Sequence, residues 1–146
     1  MDVKTAFLNG HFEEEIYMLQ LEGFGEKNIA CKLNRSIYGL KQASCQWYII
    51  FDNAIMSYGF SMMEGDHCIY TKVNGGNFTL LSLYVGDILI ASNNNVTLAE
   101  VKVWFSFIFD MKDIGEASYV LGVEIHTDRN KRLGLSQKAY LRSVLK

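Results

Sequence analysis

Two short, largely apolar runs, Phe78–Tyr84 and Ile88–Ser92, stand on either side of Val85-Gly86-Asp87. Each is too short for an ordinary helix, and the break between them carries Gly and Asp, residues that reverse a chain. The pattern predicts two buried strands of one hairpin, with an acid at its tip. Whatever else the chain does, it must build a sheet around this hairpin and carry Asp87 at one end of it.

The flanking segments supply the rest of a fold. Cys68–Val73 reads as a strand that reaches Phe78 through the turn Asn74-Gly75-Gly76-Asn77. Before it, Trp47, Ile50, Phe51, Ala54, Ile55 and Tyr58 follow at three- and four-residue steps. That spacing predicts a helix over Ala43–Tyr58, ended by Gly59. Past the hairpin, Thr97 and Glu100 make a capping-box pattern. The helix they start runs to about Phe109 and presents Val101, Trp104, Phe105 and Ile108. Met111–Gly115 reads as a loop. Tyr119–His126 and Arg132–Leu135 read as strands joined by Thr127-Asp128-Arg129-Asn130. Ser136 then caps a last helix with Tyr140, Leu141, Val144 and Leu145 on its apolar side. Near the N-terminus, the end of Glu13–Leu21 alternates as a strand after the turn Asn9-Gly10, with Ile29–Leu33 as its hairpin partner. Mixed strands with two helices able to cover one face predict an α+β sandwich of the ferredoxin-like kind.

Composition narrows the function classes. The 146 residues fit one domain, and 49% hydrophobic residues with nine Phe, eight Tyr and two Trp are enough for a core. The net charge of −2 argues against a chain that grips a nucleic-acid duplex by itself, because such binders draw affinity from a basic excess. Cys31, Cys45 and Cys68 form no C-x-x-C and read as free thiols of a reducing compartment. His11, His67 and His126 lack ligand spacing. No signal peptide is visible at Met1-Asp2-Val3-Lys4, and no apolar run approaches the roughly 20 residues of a membrane span. These features predict an intracellular protein with no membrane partner.

Nucleotidyl transfer needs two divalent cations about 3.5–4 Å apart, and hard cations such as Mg²⁺ take carboxylate and phosphate oxygens. Asp2, just before Ala6-Phe7-Leu8, and Asp87, at the hairpin tip, stand where a sheet could supply such carboxylates. Taken singly, each reads more simply as a turn former. The surrounding strings say more. Asp2-Val3-Lys4-Thr5-Ala6-Phe7-Leu8-Asn9-Gly10, Tyr38-Gly39-Leu40-Lys41-Gln42-Ala43 with Gln46-Trp47-Tyr48, Tyr84-Val85-Gly86-Asp87, Phe109–Gly115, Leu121–Ile125 and Leu135–Tyr140 lie in this order along the chain. Together they resemble the palm motifs of copia-type retrotransposon reverse transcriptases, over essentially all 146 residues.

The resemblance implies an RNA-directed DNA polymerase palm: an antiparallel sheet with helices on one face, followed by the start of the primer-grip and thumb region. It implies Asp2 and Asp87 as catalytic metal ligands for Mg²⁺ or Mn²⁺. It implies Phe7 as the gate under the sugar; the alternative for a lone Phe is a core residue, which the spacing from Asp2 disfavours. Tyr38, Gly39, Lys41 and Gln42 would line the incoming nucleotide. Tyr84 would meet the primer end, and Leu121, Gly122, Val123 and Glu124 would grip the primer backbone. Lys112 falls in a segment linked to pyrophosphate protonation. The implied partners are an RNA or DNA template-primer, a deoxynucleoside triphosphate, and the rest of a Pol polyprotein with its fingers, thumb and RNase H.

Four departures bear on activity. Gly86 stands where the family has an Asp ligand, so one carboxylate is lost. Leu21 and Ser44 stand at family prolines, in a chain with no proline at all, and Cys45 replaces a usual basic residue. The resemblance begins at the first palm motif, so the expectation is a fragment over 1–146 without fingers, with 119–146 as primer-grip hairpin and following helix. Asp2 is then expected on a frayed chain end. Two readings follow: a polymerase domain fragment inactive as it stands, or a non-catalytic remnant that at most binds nucleic acid weakly or packs on another chain.

Overall fold

The computed structural model describes residues 1–25, 29–127 and 132–145. The chain forms two compact units, Met1–Lys112 and Asp113–Lys146.

In the first unit the elements are β1 (Asp2–Val3), a 3₁₀ turn (Ala6–Asn9), β2 (Tyr17–Leu19), β3 (Ala30–Lys32), α1 (Lys41–Ser57), β4 (Ser61–Met63), β5 (Asp66–Asn74), β6 (Asn77–Tyr84), β7 (Asp87–Ser92), α2 (Asn95–Ile108) and β8 (Met111–Lys112). Six strands make one antiparallel sheet in the order β4-β5-β6-β7-β1-β8. The crossovers interleave. Helix α1 lies between β1 and β6 in the chain, yet β7 sits between those strands in the sheet. Helix α2 lies between β7 and β8, and β1 sits between them. β2 and β3 pair as a separate antiparallel ribbon, in the expected place.

Both helices lie on one face of the sheet. Tyr70, Leu81, Leu83, Ile88 and Val3 are buried there with Trp47, Phe51 and Ile55 of α1 and Val101 and Phe105 of α2. Phe51 stacks on Phe105 at 5.7 Å and meets the Tyr70 ring edge-on at 5.9 Å. The opposite face is open, with Val73, Phe78, Leu80, Tyr84 and Leu89 exposed. The hairpin strands are therefore buried on one side only, not on both. A run of apolar residues satisfies either arrangement, and here both helices cross to the same side.

Other expectations are corrected in detail. Helix α1 begins two residues before Ala43. It ends as Gly59 implied, with Gly59 at φ +91° and the amides of Gly59 and Phe60 donating to Met56 and Ile55. Helix α2 is capped by Asn94, not Thr97: the Asn94 carboxamide accepts from the Val96 and Thr97 amides at 2.8 and 3.3 Å. Its last turn exposes Ile108, and Phe109 is buried in its place because the chain turns extended there. Met111–Lys112 is a strand rather than a loop, and Ser61–Met63 is a strand beside β5.

The second unit holds β9 (Tyr119–Val120), β10 (Val123–Thr127), β11 (Leu133–Ser136) and α3 (Lys138–Val144), with sheet order β11-β10-β9. The single strand expected over Tyr119–His126 is two strands. Leu121 and Gly122 adopt φ 51° and 76°, the pair of positive values a two-residue I′-type turn needs. Of the expected turn Thr127-Asp128-Arg129-Asn130, the last three residues lie outside the described residues. The N-cap of the last helix is Gln137 rather than Ser136, whose hydroxyl accepts from the Lys138 amide at 3.3 Å one residue ahead of the cap. Tyr140, Leu141, Val144 and Leu145 are all exposed, so that helix's apolar side is uncovered.

Candidate catalytic face

Strand register builds the site. Tyr84 pairs with Asp87, Asp87 with Asp2, and Asp2 with Lys112. These four residues form one row across β6, β7, β1 and β8. Val3 is buried in the core, so its neighbour Asp2 faces the open side, as successive strand residues must. Asp2 is half-buried and Asp87, Tyr84 and Lys112 are exposed.

Asp2 is held, contrary to the expectation of a frayed end. The Met1 nitrogen donates to the Ile88 carbonyl and the Ile88 amide donates back to Met1, each at 2.8 Å. The Val3 amide donates to Gly86 at 2.8 Å, and the Lys4 amide to Asp110 at 2.9 Å. The Lys4 ammonium also meets the exposed Asp110 carboxylate at 2.9 Å. Two residues of strand suffice because both neighbours pair with them.

The turn has an unusual backbone. Val85 sits at φ +57°, a left-handed conformation that costs a β-branched residue about 1–3 kcal/mol. Gly86 does not use the left-handed region that glycine permits. A β-carbon placed on Gly86 would lie 3.2 Å from the Val3 carbonyl oxygen, 3.5 Å from Asp2 Oδ1 and 3.6 Å from Ala6 Cβ. A side chain at 86 would therefore start beside the Asp2 carboxylate. The indole of Trp47 donates to the Val85 carbonyl at 2.6 Å. Helical spacing marks Trp47 as core, which it is, but spacing carries no information about where its N–H points.

Of the residues expected around a nucleotide, Phe7 and Tyr38 meet. Thr5 adopts φ 50°, and the Asn9 carboxamide donates to the Thr5 and Ala6 carbonyls, which closes the turn that carries Phe7. Phe7 and Tyr38 contact each other with ring centroids 4.7 Å apart. Gly39 takes φ +96°, and Lys41 and Gln42 open α1, exposed. The Gly10 amide and carbonyl bond to Phe7 and Ser36, seating this turn near α1. Leu121, Gly122, Val123 and Glu124 lie in the second unit. There the Tyr119 hydroxyl donates to Glu124, which pushes the Tyr119 phenol up, and His126 Nε2 lies 3.2 Å from the same carboxylate.

Among the described residues no group of three or more His, Cys, Asp or Glu is arranged to hold a metal. Asp2 and Asp87 are paired neighbours on β1 and β7. No described helix is long and apolar enough to cross a membrane.

Sequence comparison decides the lineage. The family profile described as reverse transcriptase (RNA-dependent DNA polymerase) matches residues 1–146. The chain belongs to that family. Its relatives are copia-type transposon proteins. It is 48% identical over 99% of its length to the retrovirus-related Pol polyprotein from transposon TNT 1-94 of Nicotiana tabacum, covering 11% of that protein. It is 35% identical over 99% of its length to the Pol polyprotein from transposon RE1 of Arabidopsis thaliana, covering 10% of it. A Ty5-1 transposon protein of Saccharomyces cerevisiae is 35% identical over 97% of this chain, which covers 47% of that protein. The chain thus spans about a tenth of the two plant polyproteins and about half of the yeast protein. No solved structure matches it.

Proposed function

We propose that this chain is the palm of an RNA-directed DNA polymerase, of ferredoxin-like topology, and that as written it does not polymerise. The row Tyr84–Asp87–Asp2–Lys112 on the open face is the single observation that carries the reading. The interleaved crossovers around β7 and β1 support the fold assignment. Asp2 and Asp87 would hold the cation, Mg²⁺ or Mn²⁺, which when bound with substrate phosphates would stabilise the charge of phosphoryl transfer. Tyr84 abuts the primer end. Phe7, backed by Tyr38, lies under the sugar, and Gly39, Lys41 and Gln42 line the nucleotide. The turn Leu121-Gly122 with Val123 and Glu124 contacts the primer backbone. Template-primer, deoxynucleoside triphosphate and the remaining Pol segments, fingers, thumb and RNase H, are the partners.

Gly86 supports the inactive state, since a position whose β-carbon would lie 3.5 Å from Asp2 Oδ1 carries no side chain. A misplaced or missing reacting group costs on the order of 10²-fold or more. Primer extension with Mg²⁺ or Mn²⁺, run on this chain and on Gly86→Asp, tests the proposal. The unaltered chain is expected to be silent, and extension by it would overturn the proposed inactivity. Cation binding by Gly86→Asp, well above that of the unaltered chain, is expected whether or not extension returns. Its absence would overturn the site assignment.

A further inference from the structure

We propose that Trp47 is a positioning residue for the Val85-Gly86-Asp87 turn, resting on the reading of that turn as the cation-bearing one. Three observations converge. The Trp47 indole N–H donates to the Val85 carbonyl at 2.6 Å across 38 residues of chain. Val85 holds a left-handed φ of +57° that its branched side chain opposes. A strained residue keeps such a conformation only where its surroundings fix it. The opposite side of the turn is fixed by the Val3 amide on the Gly86 carbonyl at 2.8 Å. The turn is thus clamped between a helix and a strand, one donor to each of two successive carbonyls.

The helix end of the clamp is rigid. Trp47 is buried in the core, with the Phe109 ring 5.2 Å and the Phe51 ring 5.7 Å from its own. The indole therefore transmits the position of α1 to the tip of the hairpin. Asp87 follows Val85 by two residues and pairs with Asp2, so the peptide that Trp47 holds sets where the Asp87 carboxylate stands relative to Asp2. Removing the donor leaves a strained turn with one clamp. The turn then relaxes and the carboxylates lose their common aim, while the packing of α1 on the sheet stays.

A replacement that removes only the donor isolates this role. β-(3-Benzothienyl)alanine at position 47 keeps the bicyclic shape and replaces the indole N–H by sulfur. Trp47→Phe is the genetic counterpart, and its cavity makes folding the weaker assumption. With Gly86 retained, hydrogen exchange of the Val3 amide is expected to be about tenfold faster in the benzothienyl protein than in the unaltered chain, with the amides of β5 and β6 unchanged, since an unmade hydrogen bond loosens the turn it held. In the Gly86→Asp background, Mn²⁺ titration followed by electron paramagnetic resonance is expected to give a dissociation constant raised about tenfold by the same replacement. Val85→Gly, which removes the strain that the indole holds, is expected to recover most of that loss. A purely packing role for Trp47 would leave the benzothienyl protein unchanged in both measurements, and that result overturns the proposal. So does a loss of Mn²⁺ affinity that Val85→Gly fails to recover. If Gly86→Asp binds no Mn²⁺ at all, the cation-site reading fails, and the Val3 exchange still decides whether Trp47 clamps the turn.

Discussion

Tyr70 is fully buried, yet its hydroxyl donates to the Asp52 carboxylate at 2.9 Å. Burial, then hydrogen bonding with Tyr48 and Asp52, pushes the Tyr70 phenol well above its ordinary value. A group whose folded value is raised stabilises the fold fully below its unfolded value, about 10 for Tyr, and the contribution fades as pH rises beyond it. Unfolding followed by denaturant at pH 8 and at pH 10.5 is therefore expected to show alkaline destabilisation of the unaltered chain. In Tyr70→Phe that alkaline loss should shrink, while stability at pH 8 falls by about 1 kcal/mol because Asp52 loses its donor. Equal alkaline slopes in both proteins would refute the argument. The same scale shows what a sequence conveys about a site. Asp2 and Asp87 could be named because short strings around them are specific, and their common row could be expected from a hairpin beside a strand. The Trp47 donor could not, because apolar periodicity identifies the buried face and not the single polar atom on it. Nor could the left-handed Val85, since Val is among the last residues that turn chemistry would place there.

Helix starts and short strands show a different limit. Asn94 and Thr97 both precede the same apolar face, and both are residue types that cap helices. The chain uses Asn94 because it lies beside Ser92, whose hydroxyl accepts from the Asn94 amide at 3.2 Å, at the end of β7. Asn94→Ala is expected to cost about 1 kcal/mol and Thr97→Ala close to nothing, read by thermal or urea unfolding. A larger loss at Thr97 would return the cap to the capping-box position. β1, β4 and β8 are two or three residues long, too short to show a period, and exist because neighbours pair with them. The elements with long periodic faces, α1, α2, β6 and β7, are legible with ends shifted by no more than three residues. Gly10 has a role that its residue type does not reveal. It reads as a turn glycine, but its φ of −70° suits any residue. What it supplies is space: an added β-carbon would lie 2.9 Å from Ser36 Cβ and 3.0 Å from Gln46 Cβ. Gly10→Ala is expected to cost about 1–3 kcal/mol by pushing the Phe7 turn off α1. An unaltered melting temperature would show that the turn yields without loss.

At the scale of the molecule, the two units differ in what holds them. The first buries a continuous aromatic and aliphatic core between one sheet face and two helices. Among the described residues of the second, none is buried, and Leu133, Leu135, Tyr140, Leu141 and Leu145 are all more than half exposed. Backbone pairing without burial gives little protection, because a two- or three-stranded ribbon gains its stability from an apolar face that is covered. Opening free energies should therefore be low in β9–β11 and approach the global value in β6 and β7. Native-state hydrogen exchange is expected to show amides of β10 and β11 exchanging at least about 10²-fold faster than those of β6 and β7. The proposed function adds a condition to that measurement. If Leu121–Glu124 contact a primer backbone, a template-primer duplex should slow exchange across β9 and β10 more than across β5, a strand that carries no residue of the Tyr84–Lys112 row. Slow exchange in β10 and β11 without duplex would show that the second unit is stabilised by something other than its own described packing. Protection that appears equally in β5 would show non-specific binding rather than a primer grip. Because the net charge of −2 supplies no basic excess, the duplex effect is expected at low ionic strength and lost by about 0.2 M salt.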